Sequence, residues 1–575
     1  MKRGWRQFQV FNRYLVPYWP LQALVLLIVL LLSFAALLGP ALFGVTIDRA
    51  FLRHDLYLFR WLLLTGLLLT VLQSSLSTIR SYLTAYIGKL LTFDLRRDYT
   101  RHLFRLSFAD LHRRPTGEQL YRLDTDIDTA AGLASESIPE ILVTGSRIIF
   151  LLAICLYRSW DLTLAAIVLT PLFYLHSRYF GRKQKAVTRV VKEESQRALA
   201  MIQDAMANVK LVKAFGRGGW AVMNYLRHRL RIIRFGLDKV RIAIAGNLTA
   251  GILNSIVLIG FTYYLGRRVI GGTLTLGEMI ALTIYLTQLF VSLKGLGTLY
   301  RGVMVKLVSW ERVRETMGLP EEREAPGART HAGLEGEIEV RGLSFGYRPG
   351  REVLSGISFT VRPGEFVGLA GPSGSGKTTL FLLLLRLIAP DRGGILFDGV
   401  PLISIRWSSI RDDLGIALQE AFLLNRSIRE NLLFGRPDAA EDEIREALHT
   451  ADLEETVREL PEGLETVVGE SGSNFSEGQR QRLNIARAVL GRPRILFLDE
   501  AASAVGYDSE ARILSRIREL LPRSTVISAT HRLGSLKNAD RIMVLKDGRL
   551  VEQGTHRELI ARKGFYKTLF EAETE

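Results

Sequence analysis

The stretch from Gly371 to Thr378 has the residue types and spacing of a phosphate-binding loop, because it fits the pattern G-x-x-x-x-G-K-[ST]. Glycines let the backbone bend so that successive N–H groups point at phosphate oxygens, and the N-terminus of a following helix adds partial positive charge. Lys377 is expected to contact the β- and γ-phosphates of a nucleotide, and Thr378 to offer its hydroxyl to Mg²⁺. The alternative is a glycine-rich turn that contains a lysine by chance. The predicted cradle consists of Gly371, Ser373, Gly374, Ser375, Gly376, Lys377, Thr378 and Thr379.

A second stretch that could do chemistry, 494–500, is an apolar run that ends in Asp499 and Glu500. Such a run predicts a buried strand, and the loop described above also lies between a predicted strand at 365–370 and a predicted helix at 377–388. Asp499 would help to hold Mg²⁺, and Glu500 could polarise an attacking water. The alternative is a pair of acids at a strand end without a catalytic role.

Length and composition indicate what must position these residues. A chain of 575 residues is too long for one core, so at least two domains are expected. A mean hydropathy of +0.16 together with 23% charged residues indicates that apolar segments alternate with polar ones. The net charge of +17 is concentrated beside apolar runs, which favours membrane topology over nucleic-acid binding. The single cysteine, Cys155, excludes a disulfide or a cysteine metal cluster within the chain and is interpreted as a packing residue.

The first half of the chain contains runs long enough to cross a bilayer, for which about 20 apolar residues suffice. Residues 1–18 precede them and alternate basic with apolar positions at helical spacing, which predicts an amphipathic helix on the inner membrane surface. Basic residues are abundant at 80–137 and 181–241 and sparse in the alternate loops, which places both termini in the cytoplasm. The six predicted spans are 21–47, 61–79, 138–156, 162–180, 242–265 and 279–305.

The second half surrounds the phosphate-binding loop with further motifs. Residues 476–482 (SEGQRQR) resemble the signature S-G-G-Q-[RKQ]-Q-R of ATP-binding cassette (ABC) transporters, and Gln419 resembles the glutamine of their Q-loop. His531 in ATHR resembles their switch histidine, and Tyr347 in FGY resembles the aromatic residue that stacks on adenine. Residues 503–506 (SAVG) stand where the D-loop of that family reads S-A-L-D.

The resemblance covers nearly the whole chain, because 108–126 and 208–216 also resemble the first and second intracellular loops of ABC exporters. It implies an all-α membrane domain of six transmembrane helices followed by an α/β P-loop ATPase domain. The expected domains are a transmembrane domain at 1–318 with its amphipathic helix, a Pro/Gly-rich linker at 319–336 and a nucleotide-binding domain at 337–575.

The same resemblance assigns roles and cofactors, namely ATP and Mg²⁺. The expected catalytic residues are Glu500, His531 and Gln419, and the expected metal-binding residues are Thr378, Gln419 and Asp499. Nucleotide binding would add Tyr347, Ser476, Gly478 and Gln479 to the cradle. In the family the signature faces the P-loop of a partner subunit, so a dimer with a second half-transporter, identical or different, is implied.

Two positions depart from the family pattern. Glu477 replaces the first glycine of the signature, and we expect its side chain to point away from phosphate. Gly506 replaces the aspartate of the D-loop, so a carboxylate that would bridge the two ATP sites is missing. Because Glu500 and His531 are retained, loss of catalysis is not predicted.

The expected function is ATP-driven export of an amphipathic, drug-like or lipid-like substrate across the inner (plasma) membrane by alternating access. The alternatives are an importer on the exporter scaffold, as for siderophores, and a nucleotide-gated channel or regulatory subunit with little turnover. The expected partners are a second half-transporter, the lipid bilayer and a small amphipathic substrate, and not a nucleic acid. Arg80, Arg147 and Lys294 lie in or beside predicted spans and could line a path for anionic or amphipathic molecules. The alternative is that they snorkel to the membrane surface or pair helices, especially Arg80 near the end of its span.

Overall fold

The computed structural model describes residues 13–112, 114–322, 324–325, 327–331, 333–348, 350–469, 472–501 and 506–574. The chain divides into two compact units, one of Met1–Phe104 with Thr116–Leu319 and the other of Arg105–Pro115 with Pro320–Glu575. The predicted domain limits at 318 and 336 stay predictions. Most of the predicted amphipathic helix, 1–12, lies outside the described residues, and helix is present from residue 13 to 15.

The described elements in the first half of the chain are helices. Its α-helices, in chain order, are α1 Trp19–Val45, α2 Leu56–Leu103, α3 Phe108–His112, α4 Thr116–Tyr121, α5 Ile127–Gly132, α6 Ile138–Arg158, α7 Trp160–Ala207, α8 Val209–Ala214, α9 Gly218–Ile270 and α10 Leu276–Met317. Local sequence explains the starts of two helices: the Asp55 carboxylate caps α2 by accepting from Leu58 N at 2.9 Å, and Thr275 with Glu278 forms a capping box at α10. A wider π-type turn at Thr46–Phe51 extends α1, and similar turns at Arg122–Asp126 and Leu133–Ser137 join α4, α5 and α6 without a break.

Five helical stretches among the described residues are long and apolar enough to cross a membrane: Arg13–Phe51, Leu56–Leu103, Thr116–Arg158, Gly218–Ile270 and Leu276–Met317. The sixth predicted span, 162–180, lies in α7, which is continuous over 48 residues. It is outside that group, and its apolar run is interrupted by His176 and Arg178. Large apolar side chains such as Leu68 on α2 are exposed to the surroundings, as lipid contact requires.

The membrane unit packs around two groups of helices. In the first group α1 contacts α2, α6 and α10; in the second α7 pairs with α9 along much of their length. One buried cluster brings Leu151 and Cys155 of α6 against Leu265 of α9 and Leu286 of α10. Cys155 therefore fills space in an apolar core, as the sequence predicts.

The second unit is built on two sheets. The strands are β1 Ile338–Phe345, β2 Leu354–Val361, β3 Phe366–Ala370, β4 Arg392–Phe397, β5 Val400–Pro401, β6 Leu414–Ala417, β7 Ile495–Asp499, β8 Thr525–Ala529, β9 Arg541–Lys546 and β10 Arg549–Gly554. An antiparallel sheet has the order β2-β1-β4-β5, and a six-stranded sheet has the order β10-β9-β3-β8-β7-β6 with its inner pairs parallel. The helices are α11 Lys377–Leu384, α12 Ile428–Leu433, α13 Glu441–Thr450, α14 Glu454–Glu459, α15 Glu477–Val489, α16 Tyr507–Leu520, α17 His556–Arg562 and α18 Phe565–Thr574.

The central strands of this sheet fix where its loops meet. Every residue of β3, β7 and β8 is buried, because parallel strands are covered on both faces. Leu369 of β3 and Asp499 of β7 both pair with Ala529 of β8, so the carboxyl ends of the three strands lie at one level. Ligands of open α/β sheets bind at that edge, and the loops that follow these strands carry the predicted site.

Candidate functional site

The loop between β3 and α11 has a backbone that only glycine fits at three points. Gly371, Gly374 and Gly376 have φ values of +154°, +80° and +103°, in the left-handed half of the map. A Cβ on Gly371 would press on the carbonyl oxygen of Leu545, and one on Gly376 would lie 2.5 Å from Leu354 Cδ2. Gly376 also caps α11, so the first N–H groups of the helix are presented to the loop. This is the geometry that an anion requires.

Lys377 lies within this loop. Its buried ammonium donates to the carbonyl oxygens of Gly371 at 2.7 Å and Pro372 at 3.2 Å. Burial lowers the pKa of Lys377, and the nearby Glu500 and Asp499 carboxylates oppose the shift. The Ser375 hydroxyl is buried without a hydrogen-bond partner among the described residues, so the loop holds both a cation and a free donor for a phosphate.

Asp499, the last residue of β7, presents both carboxylate oxygens without a hydrogen-bond partner within the described structure. Burial raises the pKa of Asp499 to about 6, although Thr378 and Lys377 act in the opposite direction. A buried carboxylate without partners is unfavourable unless a cation compensates it. Oxygen ligands suit Mg²⁺, so Asp499 fits the predicted metal position, with the exposed Thr378 next to it in the loop.

The three predicted catalytic side chains come together at one oxygen. Glu500 Oε2 accepts from Gln419 Nε2 at 2.9 Å and lies 3.6 Å from His531 Nδ1. Glu500 itself has φ +47° and donates its backbone N–H to Ala529 O at 2.8 Å. The strained turn after β7 thus aims the carboxylate across the sheet edge toward the loops that contain Gln419 and His531.

Tyr347 borders the cradle from the antiparallel sheet. Its hydroxyl lies 3.3 Å from Thr379 Oγ1, and its ring meets that of Phe345 edge-on at 5.0 Å. The Tyr347 ring is 54% exposed, which leaves a face open for stacking. Ser373 and Gly374 are exposed at the tip of the same loop.

The signature residues lie at the start of α15. Ser476 caps the helix by accepting from Gln479 N at 3.2 Å, and the Gln479 side chain accepts from Ser476 N at 2.8 Å. Glu477 is exposed in the first turn, where a negative charge is favoured by the helix dipole. Within the part of the chain that the structure describes, no hydrogen bond joins Ser476, Gly478 or Gln479 to residues 371–379. The D-loop residues 503–505 lie outside the described structure, and Gly506 caps α16.

Two polar residues that the motifs do not include connect α15 to the Q-loop. Asn484 Nδ2 donates to Leu418 O at 3.1 Å, and Arg487 donates to Phe422 O at 2.9 Å and to Asn484 Oδ1 at 2.7 Å. Burial lowers the pKa of Arg487. Their signal in the sequence is weak: two polar residues on the apolar face of a predicted helix.

Comparison with known proteins agrees with this geometry. The family model of the ABC transporter transmembrane region matches residues 23–293, and that of the ABC transporter matches 354–503. The uncharacterized ABC transporter ATP-binding protein YfiC of Bacillus subtilis (strain 168) is 30% identical over 98% of this chain and 93% of its own length. The chain belongs to the ABC transporter family.

Other relatives of this ABC transporter are named for what they move. An ATP-dependent lipid A-core flippase of Syntrophus aciditrophicus (strain SB) is 30% identical over 93% of this chain and 88% of that protein. The cyclolysin secretion/processing ATP-binding protein CyaB of Bordetella pertussis is 32% identical over 98% of this chain and 79% of that protein. The solved structure of a bacterial Atm1-family ABC exporter with ATP bound matches with a TM-score of 0.80, 27% identity and 99% of both chains.

The predicted fold class is thereby confirmed, and the chain is an ABC exporter of the half-transporter type. Its ATPase domain binds ATP, and ATP hydrolysis is coupled to transport. The exporter is a multi-pass membrane protein. The individual site residues are placed by the geometry above, and their roles stay predictions.

The membrane unit of the exporter contains a cavity of about 740 Å³ between α2 and α6. Arg80, Lys89 and Arg147 line it, and among the described residues none of the three forms an ion pair. The Nε of Arg147 is buried without a hydrogen-bond partner. The side chain of Lys294, the third predicted cation, lies outside the described residues.

Two of the three acids that line this cavity are engaged elsewhere. Glu136 pairs with Lys306 at 2.7 Å, and Asp128 pairs with Arg96 at 3.3 Å. Glu140 alone is left to oppose the three cations. An apolar pocket of about 260 Å³ adjoins the cavity, because both are lined by Thr84, Ser135 and Pro139. The other residues of this pocket are mainly aliphatic and include Val25, Leu26, Val29, Ile87, Ile138 and Leu142.

Proposed function

We propose that this chain exports an amphipathic, lipid-like substrate with an anionic headgroup, and that it works as one half of a dimer. The observation that carries the proposal is the cationic cavity with an apolar pocket at its side. A cavity of this size is in the range of small-molecule sites. A headgroup would meet Arg80, Lys89 and Arg147, and an acyl chain would occupy the pocket lined by Val25 and Leu142.

Physical chemistry supports an anion over a cation in this cavity. Arg147 lies within the predicted span 138–156, where a cationic side chain is costly unless a partner compensates it, and an anionic headgroup is such a partner. The Arg147 guanidinium has a buried N–H to offer, and arginine suits phosphate because it can donate two parallel hydrogen bonds. The lipid A-core flippases among the relatives support a lipid-like molecule.

The ATPase cycle follows from the predicted roles. Thr378, Asp499 and Gln419 would hold Mg²⁺, and the metal would neutralise charge on the phosphates. Glu500 would act as the base that orients and polarises the attacking water, and His531 would donate a hydrogen bond to the γ-phosphate. Tyr347 would stack on adenine. Because Ser476, Gly478 and Gln479 have no hydrogen bond to the P-loop among the described residues, they would complete the site of a second half-transporter.

In this proposal, ATP closes two ATPase domains on each other and turns the cavity from inward- to outward-facing, and hydrolysis resets it. The short helices α3 and α8 would transmit the movement. The transporter would lie in the inner (plasma) membrane with both termini in the cytoplasm. The membrane domain would span 1–318, the linker 319–336 and the ATPase domain 337–575.

The test is reconstitution of the full chain in inside-out vesicles with fluorescent phosphatidylglycerol as anionic probe and phosphatidylcholine as its zwitterionic counterpart. Addition of ATP should move the anionic probe away from the cytoplasmic face. Phosphatidylglycerol should also stimulate the ATPase activity more strongly than phosphatidylcholine does. Losing charge-assisted hydrogen bonds costs about 1.5–3 kcal/mol, so Arg80→Gln with Arg147→Gln should raise the half-maximal phosphatidylglycerol concentration about tenfold or more. Arg60→Gln, an exposed site on α2 outside the cavity, is the matched control.

Each opposite result has a definite meaning. Equal stimulation by both lipids, or a double variant with unchanged half-maximal concentration, would refute the anionic headgroup. Movement of the probe toward the cytoplasmic face would indicate the importer. Probe flux that continues in the Glu500→Gln variant at saturating ATP would indicate a nucleotide-gated channel. ATPase activity that requires a second, different half-transporter would indicate a heterodimer.

A further inference from the structure

Glu510 is a buried acid that none of the motifs includes. It lies one turn into α16, where its backbone N–H donates to Gly506 O at 3.0 Å, and only 3% of the residue is exposed. Burial raises the pKa of Glu510, and the neighbouring Ser535 hydroxyl and Arg532 guanidinium oppose the shift. Buried acids are rare in proteins unless they are paired, so its partners are informative.

The hydrogen-bond partners of Glu510 are the two residues that flank position 531 in the chain. The Glu510 carboxylate accepts from Thr530 Oγ1 at 3.4 Å and from Arg532 Nη1 at 3.3 Å. Arg532 N in turn donates to Thr530 Oγ1 at 3.0 Å, and Ser535 Oγ donates to Arg532 O at 2.7 Å. The residue between Thr530 and Arg532 is His531, whose ring is half exposed and 3.6 Å from Glu500 Oε2.

His531 itself has few restraints. Its side chain is 51% exposed, and within the described structure its ring lies 3.6 Å from the Glu500 carboxylate. The direction in which the ring points therefore depends on the backbone at Thr530 and Arg532. A buried carboxylate that binds both of these residues holds that backbone more firmly than a surface contact could, because few alternative partners are available in the interior.

We infer that Glu510 is a positioning residue for His531, which it holds toward the catalytic carboxylate from the first turn of the helix that follows the D-loop. This inference rests on the proposed role of His531 in hydrolysis. In this arrangement a shift of the N-terminus of α16 moves the Glu510 carboxylate, and the carboxylate moves the two residues that flank the histidine. Glu510 touches neither nucleotide nor water in this scheme.

The test compares Glu510→Gln with wild type in full-length, reconstituted transporter. Glutamine keeps the shape and one acceptor and removes the charge that attracts Arg532. The expected result is a fall in kcat of about tenfold or more, with KM for ATP within about twofold of wild type. Glu519→Gln, the same chemical change at an exposed position on α16, should leave kcat unchanged.

The deciding measurement repeats the change in the His531→Ala background, with phosphate release followed at high enzyme concentration. If Glu510 acts through His531, Glu510→Gln should add less than a twofold loss there, because residues that act as a unit are not additive. An equal loss in both backgrounds, or a kcat within twofold of wild type in the single variant, overturns the inference. A His531→Ala variant with wild-type kcat instead refutes the proposed role of His531.

Removing a buried charge can impair folding, so a second variant is included. Arg532→Gln changes a side chain that is about one quarter exposed and removes the same ion pair from the other end. It should reproduce the kcat loss and its absence in the His531→Ala background. If Glu510→Gln does not fold, Arg532→Gln decides: a loss that is equal in both backgrounds overturns the inference.

Discussion

Replacing Glu500 by glutamine is the sharpest test of the proposed ATPase site. Glu500 Oε2 accepts from Gln419 at 2.9 Å, and a glutamine oxygen can accept the same bond. The backbone at φ +47° is as accessible to glutamine as to glutamate, so the fold should persist. The substitution removes the negative charge with which Glu500 would act as the base for the attacking water.

The loss of such a group usually lowers the rate by at least about 10²-fold, which corresponds to about 2.7 kcal/mol in the activation free energy. ATP affinity should be retained, because the loop of Lys377 and Gly376 is unchanged. The variant should therefore accumulate with ATP bound and its ATPase domains closed. Steady-state phosphate release and equilibrium ATP binding measure the two quantities, with the exposed Glu462→Gln as control. A turnover within about twofold of wild type would remove Glu500 from the catalytic role.

Two further changes test the loop and the D-loop. Gly376→Ala places a Cβ on a residue with φ +103° and 2.5 Å from Leu354 Cδ2. Backbone strain of about 1–2 kcal/mol should lower the ATP affinity about tenfold, whereas the control Gly394→Ala, whose Cβ meets open space, should bind ATP normally. Equal ATP dissociation constants for the two variants would contradict the requirement for glycine at 376. Gly506→Asp restores the carboxylate at a position with open space around it and should raise the Hill coefficient of ATPase activity; an unchanged coefficient would show that Gly506 is a neutral substitution.

Local sequence predicts the elements well where the signal is local. The strand predicted at 365–370 is β3, Phe366–Ala370, and the runs predicted to span the membrane lie within long helices. The helix predicted at 377–388 ends earlier, at Leu384, because Arg386 takes a left-handed conformation with φ +54°. The apolar sequence continues past that point and hides the end. The order of strands in the six-stranded sheet depends on long-range pairing and could not be predicted from periodicity.

The same limit applies to the site. Gln419, Glu500 and His531 were predicted from short motifs, and the structure brings their side chains together. Asn484 and Glu510 belong to none of the motifs, because the partner that gives each its role lies 66 or about 20 residues away in the chain. A buried polar residue on an amphipathic helix is the only trace that such a contact leaves in the sequence.

Both loops that contact Glu500 are anchored to helices rather than left free. The Q-loop is held by Asn484 on α15, and the loop of His531 is held by Glu510 on α16. The residue that caps α15, Ser476, belongs to the signature that we assign to the site of a second subunit. The residue that caps α16, Gly506, replaces the D-loop aspartate that would bridge the two ATP sites. In the proposed dimer, a displacement at either helix start would reach Glu500 through the contact of Asn484 with the Q-loop or through the contacts of Glu510 with the loop of His531. The carboxylate that Gly506 lacks would bridge the two ATP sites at the start of α16, whereas Glu500 and the side chains around it are retained. We therefore expect Gly506→Asp to change the cooperativity between the sites and not the catalytic rate of a single site.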